Sequence, residues 1–269
     1  MQRTLSCPFF RKAFGWCVPI GGLGGLIGLG GGEFRLPILM HSLGFDARSA
    51  IPLNLTVSLI TLAVALIARG FFVPLVAIVP HLPEVLGLAA GGMVSAFWGA
   101  GLVKKLSARR LVQVIALLLA AIGALFLVET LTTWHPVALL PAGPPTRVAA
   151  GLLIGVGVGL VSSMLGVAGG ELLIPSLIFV FGVEIRIAGS ASILISLGVV
   201  LMGLWRYWRL DAFPRGRGVQ RITLAMSMGS VIGATAGGLA IAYAPTGLLK
   251  LLLGAVLIAA AGKTLTSQP

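Results

Sequence analysis

Charge is scarce in this chain: only 10% of its 269 residues are Asp, Glu, Lys or Arg, and seven in all are acidic. So little polar surface excludes a water-soluble globule of this size. The two cysteines, Cys7 and Cys17, both lie near the N-terminus and provide neither a disulfide framework nor metal-ligand spacing. His41, His81 and His135 stand far apart in sequence, and no nucleophile carries a local base motif, so neither a metal site nor an enzyme is expected. No small-residue cleavage site follows a compact apolar core near the start. Residues 1–14, with Arg3, Arg11 and Lys12, therefore read as the cytoplasmic N-terminus of an uncleaved anchor.

What the chain has in abundance is apolar surface. Hydrophobic residues make up 58% of it, and the mean hydropathy is +1.08, values that place it in a bilayer. The net charge of +12 sits in short segments between apolar runs and not along an amphipathic face. It marks membrane topology, with no nucleic-acid partner expected.

The decapeptide GLGGGEFRLP at 28–37 returns as GVAGGELLIP at 166–175, 138 residues further on. The register holds beyond it without a gap. Leu39 matches Leu177, Gly44 matches Gly182, Asp46 matches Glu184, Arg48 matches Arg186 and Ser58 matches Ser196, while Gly91, Ser95 and Gly99 match Gly229, Gly233 and Gly237. The chain is a tandem duplication, and internal repeats in apolar chains mark transporters whose sites form where the copies meet.

Six apolar runs, near 49–68, 84–103, 111–130, 187–205, 222–243 and 246–264, are long enough to cross about 30 Å of hydrocarbon as helix. Two segments differ, 15–44 and 148–182. Each has a glycine-rich first part, a Gly-Gly-Glu break and a short second part, and neither part is expected to span alone. As single crossings they would put the loop of Lys104, Lys105, Arg109 and Arg110 on the opposite face from Arg206, Arg209, Arg215, Arg217 and Arg221. As re-entrant hairpins they put both basic loops in the cytoplasm, leaving mainly Arg69, Arg147, Arg186 and Lys250 outside. A hairpin plus three spans is an odd number of crossings, so the second copy is inverted. The expected architecture is an all-α polytopic membrane protein of two inverted repeats, each a re-entrant helical hairpin plus three transmembrane helices. Its first repeat covers 15–130, an exterior linker 131–147, and the second repeat 148–269.

Irregular backbone at membrane depth must be covered by protein or a wet cavity, so the two hairpin tips should face the interior. Gly30, Gly31 and Gly32, with Ala168, Gly169 and Gly170, leave backbone amides bare. Pro37 and Pro175 read as helix starts, and the half-helix N-termini beyond the tips suit an anion. The plainer alternative is that the glycines only make the turn. Glu33 and Glu171 are acids near the bilayer centre, either caps for free amides or carriers of a coupling proton. Arg35, opposite Leu173, either grips an oxyanion through two parallel hydrogen bonds, pairs locally with Glu33, or reaches a wet surface. Asn54, Ser58 and Thr61 share a helical face, as do Ser192 and Ser196, either lining a cavity or bonding helix to helix. The glycine ridges serve close packing.

These two decapeptides, the Ser/Thr-rich helices at 50–61 and 188–196, and the glycine ridges resemble the TauE/SafE family of permeases, the sulfite exporters, over almost the whole length. The one departure is Ala168 where the third glycine belongs. The resemblance implies movement of small sulfur-containing or carboxylate anions, such as sulfite, a sulfonate or sulfoacetate, across a prokaryotic inner membrane, often as export. With the two repeated acids, the expected function is a secondary transporter, an exporter of such sulfur-containing or organic anions, coupled to the proton gradient. It implies no cofactor. The expected partners are a small anion and the lipid bilayer, with a homodimer as the assembly considered. A passive anion channel is the alternative within transport, and a membrane-embedded enzyme or assembly partner the alternative outside it.

Overall fold

A computed structural model describes residues 7–102, 108–131, 139, 143–214 and 216–266. Among these every regular element is helical. The order is α1 (Cys7–Leu23), α2 (Gly32–Pro37), α3 (Ala47–Gly70), α4 (Leu82–Leu102), α5 (Ala108–Leu131), α6 (Pro144–Leu165), α7 (Gly170–Pro175), α8 (Ile185–Arg209), α9 (Arg217–Ala240) and α10 (Thr246–Thr266). Lys104 and Lys105, Arg3, Arg215, Trp134, His135 and most of the expected linker lie outside the described residues, as does the side chain of Arg48.

The boundaries repeat with the sequence. α2 and α7 begin at Gly32 and Gly170, each after a glycine in the left-handed region, Gly31 at φ 67° and Gly169 at φ 77°. Without a Cβ that backbone carries no steric penalty, which is why the turn falls there in both copies. Pro37 and Pro175 do not start these helices, as expected from sequence, but end them. Each is followed by a π-helical turn, Ile38–Ser42 and Ser176–Val180. A proline has no N–H for the carbonyl four residues back, and its ring crowds that carbonyl. The ladder resumes one residue wider, with Leu43 N–H on Ile38 O at 3.0 Å.

Both glycine-rich segments fold back on themselves. Leu39 and Leu43, beyond α2, pack with Phe10 and Ala13 at the start of α1 and with Val219 and Ile222 at the start of α9. Phe181, beyond α7, accepts a 3.2 Å hydrogen bond from Arg147 in the first turn of α6. An interrupted span would have put these ends at opposite faces.

Five stretches are long and apolar enough to cross a membrane: Ser49–Gly70, Leu75–Trp98, Pro144–Ser163, Ile185–Arg209 and Arg217–Ala240. Pro144–Ser163 corrects the expectation that neither arm of a hairpin spans, since α6 has 22 residues, about 33 Å at 1.5 Å each. The expected spans at 111–130 and 246–264 are present as α5 and α10, whose described apolar stretches are the shorter Leu119–Val128 and Thr246–Gly262.

Packing comes in matched pairs: α1 against α9 and α6 against α4, α3 against α9 and α8 against α4, with α3 against α8 and α5 against α10. Glycines make the first two seams. A Cβ at Gly21 would meet Ser230 O at 2.6 Å, and one at Gly237 would overlap Gly22 O. In the other seam Gly87 faces Val148 O at 2.5 Å and Gly151 faces Glu84 O at 2.8 Å, while Gly91 abuts Leu152 O. Without side chains between them the backbones touch, so dispersion contacts replace a hydrophobic drive that lipid cannot provide. Chain direction follows from these contacts. α1 meets α9 in rising order (Cys17 at Gly229, Gly22 at Gly233), so they run parallel. α3 and α8 run antiparallel, with Leu55 near Gly203 and Arg69 near Gly189. The outer surface carries exposed Leu153, Leu201 and Leu224, side chains suited to hydrocarbon.

Candidate functional site

The tips of the two hairpins touch. A methyl at Gly30 would stand 2.5 Å from the Ala168 Cβ, one at Gly32 3.4 Å from Val167 Cα, and one at Gly170 3.2 Å from Leu29 Cδ2. Ala168 thus fills with its methyl the space its counterpart Gly30 leaves, and both tips cannot carry a side chain there. Asn54 in α3 ties them together, its amide nitrogen donating to Gly32 O and Gly166 O at 2.9 Å each. In the second hairpin Ser162 donates to Val167 O.

Arg35 is fully buried, at 0% exposure. Its Nε–H donates to Asn54 Oδ1 at 3.3 Å, Nη1 to Thr61 Oγ at 2.8 Å and Ser230 Oγ at 3.1 Å, and Nη2 to Ser58 Oγ at 2.7 Å and to Gly30 O. A guanidinium has five N–H groups, and here all five end on neutral oxygens. Of the three readings of Arg35, the geometry displays a brace: the side chain binds its own hairpin, α3 and α9, while its charge remains in the interior. Glu33, two residues earlier, is half-buried. Glu171 is buried at 3% exposure.

The second half presents the same cradle without its brace. Ser192 and Ser196 occupy the places of Asn54 and Ser58, and Leu173 that of Arg35. Both serine side chains are fully buried, and neither hydroxyl has a hydrogen-bond partner among the described residues. Ser192 Oγ lies 3.3 Å from where a Gly170 Cβ would be. Buried hydroxyls without partners are costly and rare. Ser192 beside the bare Gly170, and Ser196 one helical turn further on, are thus the open hydroxyls of this half.

Several participants were not legible beforehand. Arg69, which the charge pattern assigns to the exterior side, is buried in the protein and turned inward. It donates to Gly25 O at 3.1 Å, Leu26 O at 2.7 Å, Ser190 Oγ at 3.0 Å and Arg186 O at 2.7 Å. Gly25 and Leu26 lie in the π-helical turn Gly24–Gly28 that precedes the first tip, and a cation suits carbonyls exposed at the end of a helix. A lone arginine at the end of an apolar helix gives no sign of which way it turns. Ser230 sits beside the glycine ridge of α9, with no polar counterpart at Gly92. Glu84 is buried and receives Arg147 Nη1 at 2.9 Å and His81 Nδ1 at 2.9 Å. Glu184 caps α8 by accepting from the N–H groups of Arg186 and Ile187 at 3.0 and 3.3 Å, while Arg186 donates to Ala244 O at 2.8 Å. Among the described residues no group of His, Cys, Asp and Glu is arranged to hold a metal.

Apolar helices, two glycine hairpins in contact at their tips and a buried guanidinium bound to the first of them are the features of a polytopic membrane transport protein. The chain belongs to the sulfite exporter TauE/SafE family, whose model matches residues 4–126 and 151–269. That family comprises membrane transporters of sulfite-type anions. No curated protein and no solved structure matches the chain.

Proposed function

We propose that this protein is a secondary transporter that exports a small sulfur-containing or organic anion, such as sulfite, a sulfonate or sulfoacetate, across a prokaryotic inner membrane in exchange with the proton gradient. The observation that carries the reading is the asymmetric pair of cradles at the tip junction: one holds a buried guanidinium, the other two buried hydroxyls without partners. The anion lies in the second cradle, against Ser192 and Ser196 and the tip of Ala168, Gly169 and Gly170, with Gly30, Gly31 and Gly32 facing it. Asn54, Ser58 and Arg35 set the positive field from the other side. In water such a field would fade within a few ångströms; in an apolar interior it persists. Glu33 and Glu171 carry the coupling proton, because two acids that feel each other's charge favour sharing one.

The two halves act as inverted repeats. The antiparallel run of α3 and α8, equivalent helices in the two copies, supports this. The distribution of basic residues supports an orientation as well. Arg11 and Lys12 precede the interior part of α1, which starts beside Arg217 and Arg221 of α9, and Arg206 and Arg209 end α8 just before them. Basic residues gathered at one face favour a cytoplasmic side for that face and for the N-terminus.

Proteoliposomes loaded with radiolabelled sulfite provide the test. Efflux that accelerates with an imposed pH gradient, and competes with sulfoacetate, is expected. A sulfite conductance indifferent to the gradient would instead make the protein a passive anion channel, and no sulfite, sulfoacetate or taurine flux at all would refute the assignment.

A further inference from the structure

We propose that a second oxyanion site lies at the C-terminal end of α8, in a crevice lined by Leu55, Ser162, Ser163, Gly203, Arg206 and Tyr207, which reaches the second tip through Ser162 but includes neither Ser192 nor Ser196. Its centre is Arg206. The guanidinium lies over the Phe97 ring, 5.1 Å from the centroid, which fixes its plane and leaves its edge for hydrogen bonds. Nε is buried and has no acceptor among the described residues. An arginine that merely reaches toward water keeps its nitrogens wet, so a dry Nε–H is a donor awaiting an acceptor.

Other features of the crevice match that donor. Tyr207 lines the same wall, and its phenol is a second group able to donate to an anion there. Ser163 donates to Leu160 O at 2.9 Å, three residues back, a local bond that a hydroxyl gives up readily for a charged partner. No carboxylate forms an ion pair with Arg206 among the described residues. The remaining wall includes Leu55 and Gly203, and such low-dielectric surroundings strengthen attraction to an anion.

The first half explains why this place is open. Its equivalent turn is closed by Arg69, whose hydrogen bonds end on Gly25 O and Leu26 O of the chain itself. Tyr207 stands where Arg69 would repeat, and Ser163 where Gly25 would, so the second half lacks the guanidinium that seals the first. The crevice also leads somewhere. Ser162, at its inner end, bonds Val167 O of the second tip, and a Cβ on Gly169 would lie 3.4 Å from Ser162 Cβ. As a staging position for the transported ion the site rests on the transport reading; as a place that binds an oxyanion it does not.

Two sources have the required chemistry: a free oxyanion such as sulfite, and the phosphate of an anionic lipid headgroup, since Trp205, Trp208 and Arg209 flank the crevice as interfacial residues do. Equilibrium binding of radiolabelled sulfite to the full chain in phosphatidylcholine nanodiscs separates the possibilities. Wild type should titrate as two classes of site. Arg206→Gln should lose one class and keep the other, and Tyr207→Phe should weaken the same class about tenfold. The class removed by Arg206→Gln should survive in a Ser192→Ala, Ser196→Ala double variant. If wild type shows a single class that disappears in Arg206→Gln, the crevice binds anion and the tip junction does not, which refutes the central reading alone. In phosphatidylglycerol discs, loss of the Arg206-dependent class identifies the headgroup phosphate as occupant, and its persistence identifies the free anion. Titrations of Arg206→Gln and Tyr207→Phe that both coincide with wild type in phosphatidylcholine overturn the site. Should Arg206→Gln fail to fold, Tyr207→Phe alone decides.

Discussion

Arg35 Nε donates to Asn54 Oδ1 at 3.3 Å, while the amide nitrogen of the same asparagine holds Gly32 O of one tip and Gly166 O of the other at 2.9 Å. A single side chain thereby links the buried cation to both hairpins. The bond to Gly32 stays within one half of the chain, and the bond to Gly166 crosses between halves. Any rocking of one half against the other must break the second and leave the first.

Replacing Arg35 is expected to damage folding before it damages affinity. Arg35→Ala takes the donor from Asn54 Oδ1, Ser58 Oγ and the Gly30 carbonyl, and each buried polar group left unpaired costs about 1–3 kcal/mol. Arg35→Lys keeps the charge but satisfies fewer of these oxygens, so its thermal midpoint should fall between the two. An Arg35→Ala protein as heat-stable as wild type would show that the brace is dispensable.

The contact between Gly30 and Ala168 makes a swap informative. Gly30→Ala alone puts a second methyl 2.5 Å from the first, and overpacking of this kind costs about 1–3 kcal/mol. Adding Ala168→Gly should restore the thermal midpoint, because the two tips then merely exchange roles. If the double variant is no more stable than Gly30→Ala, the tips do not meet as described.

Serines in the two cradles should answer differently to the same change. Ser58→Ala removes an acceptor from Arg35 and should cost roughly 1.5–3 kcal/mol, the range for bonds to charged groups. Ser192→Ala and Ser196→Ala remove hydroxyls with no protein partner, so stability should hold or rise while sulfite affinity drops. Equal destabilisation in all three, measured by thermal unfolding, contradicts the distinction.

Coupling is testable at the acids. Glu33→Gln or Glu171→Gln should abolish acceleration of efflux by a pH gradient yet allow exchange of labelled for unlabelled anion, since exchange moves no net proton. Full gradient-driven efflux in both variants would leave the acids as capping groups of α2 and α7.

Accessibility to an impermeant thiol reagent reads the topology directly. In a cysteine-free background, a cysteine at exposed Tyr243, just beyond α9, should label in intact cells, and one at exposed Gln220, at its start, should not. The opposite pattern would invert the proposed orientation.

The amino-acid sequence by itself determined the helical class, the duplication and the two broken segments, because these depend on local properties: apolar run length, glycine where φ must be positive, and a motif that repeats in register. Gly31 and Gly169 were legible as turn formers for that reason. The prolines were misplaced because a proline inside the first turns of a short helix and one at its end leave similar local patterns; only the π-helical turns after Pro37 and Pro175 tell them apart. Tertiary structure decided everything that depends on which surfaces meet. Arg35 and Ser230 are 195 residues apart, and no pattern within either helix announces the bond. Arg69 turns inward because π-helical carbonyls from a distant hairpin lie beside it, and Ser192 and Ser196 lack partners because Leu173 stands where the other half has a guanidinium. Long-range pairing of this kind is set by packing the whole chain, and periodicity carries no record of it.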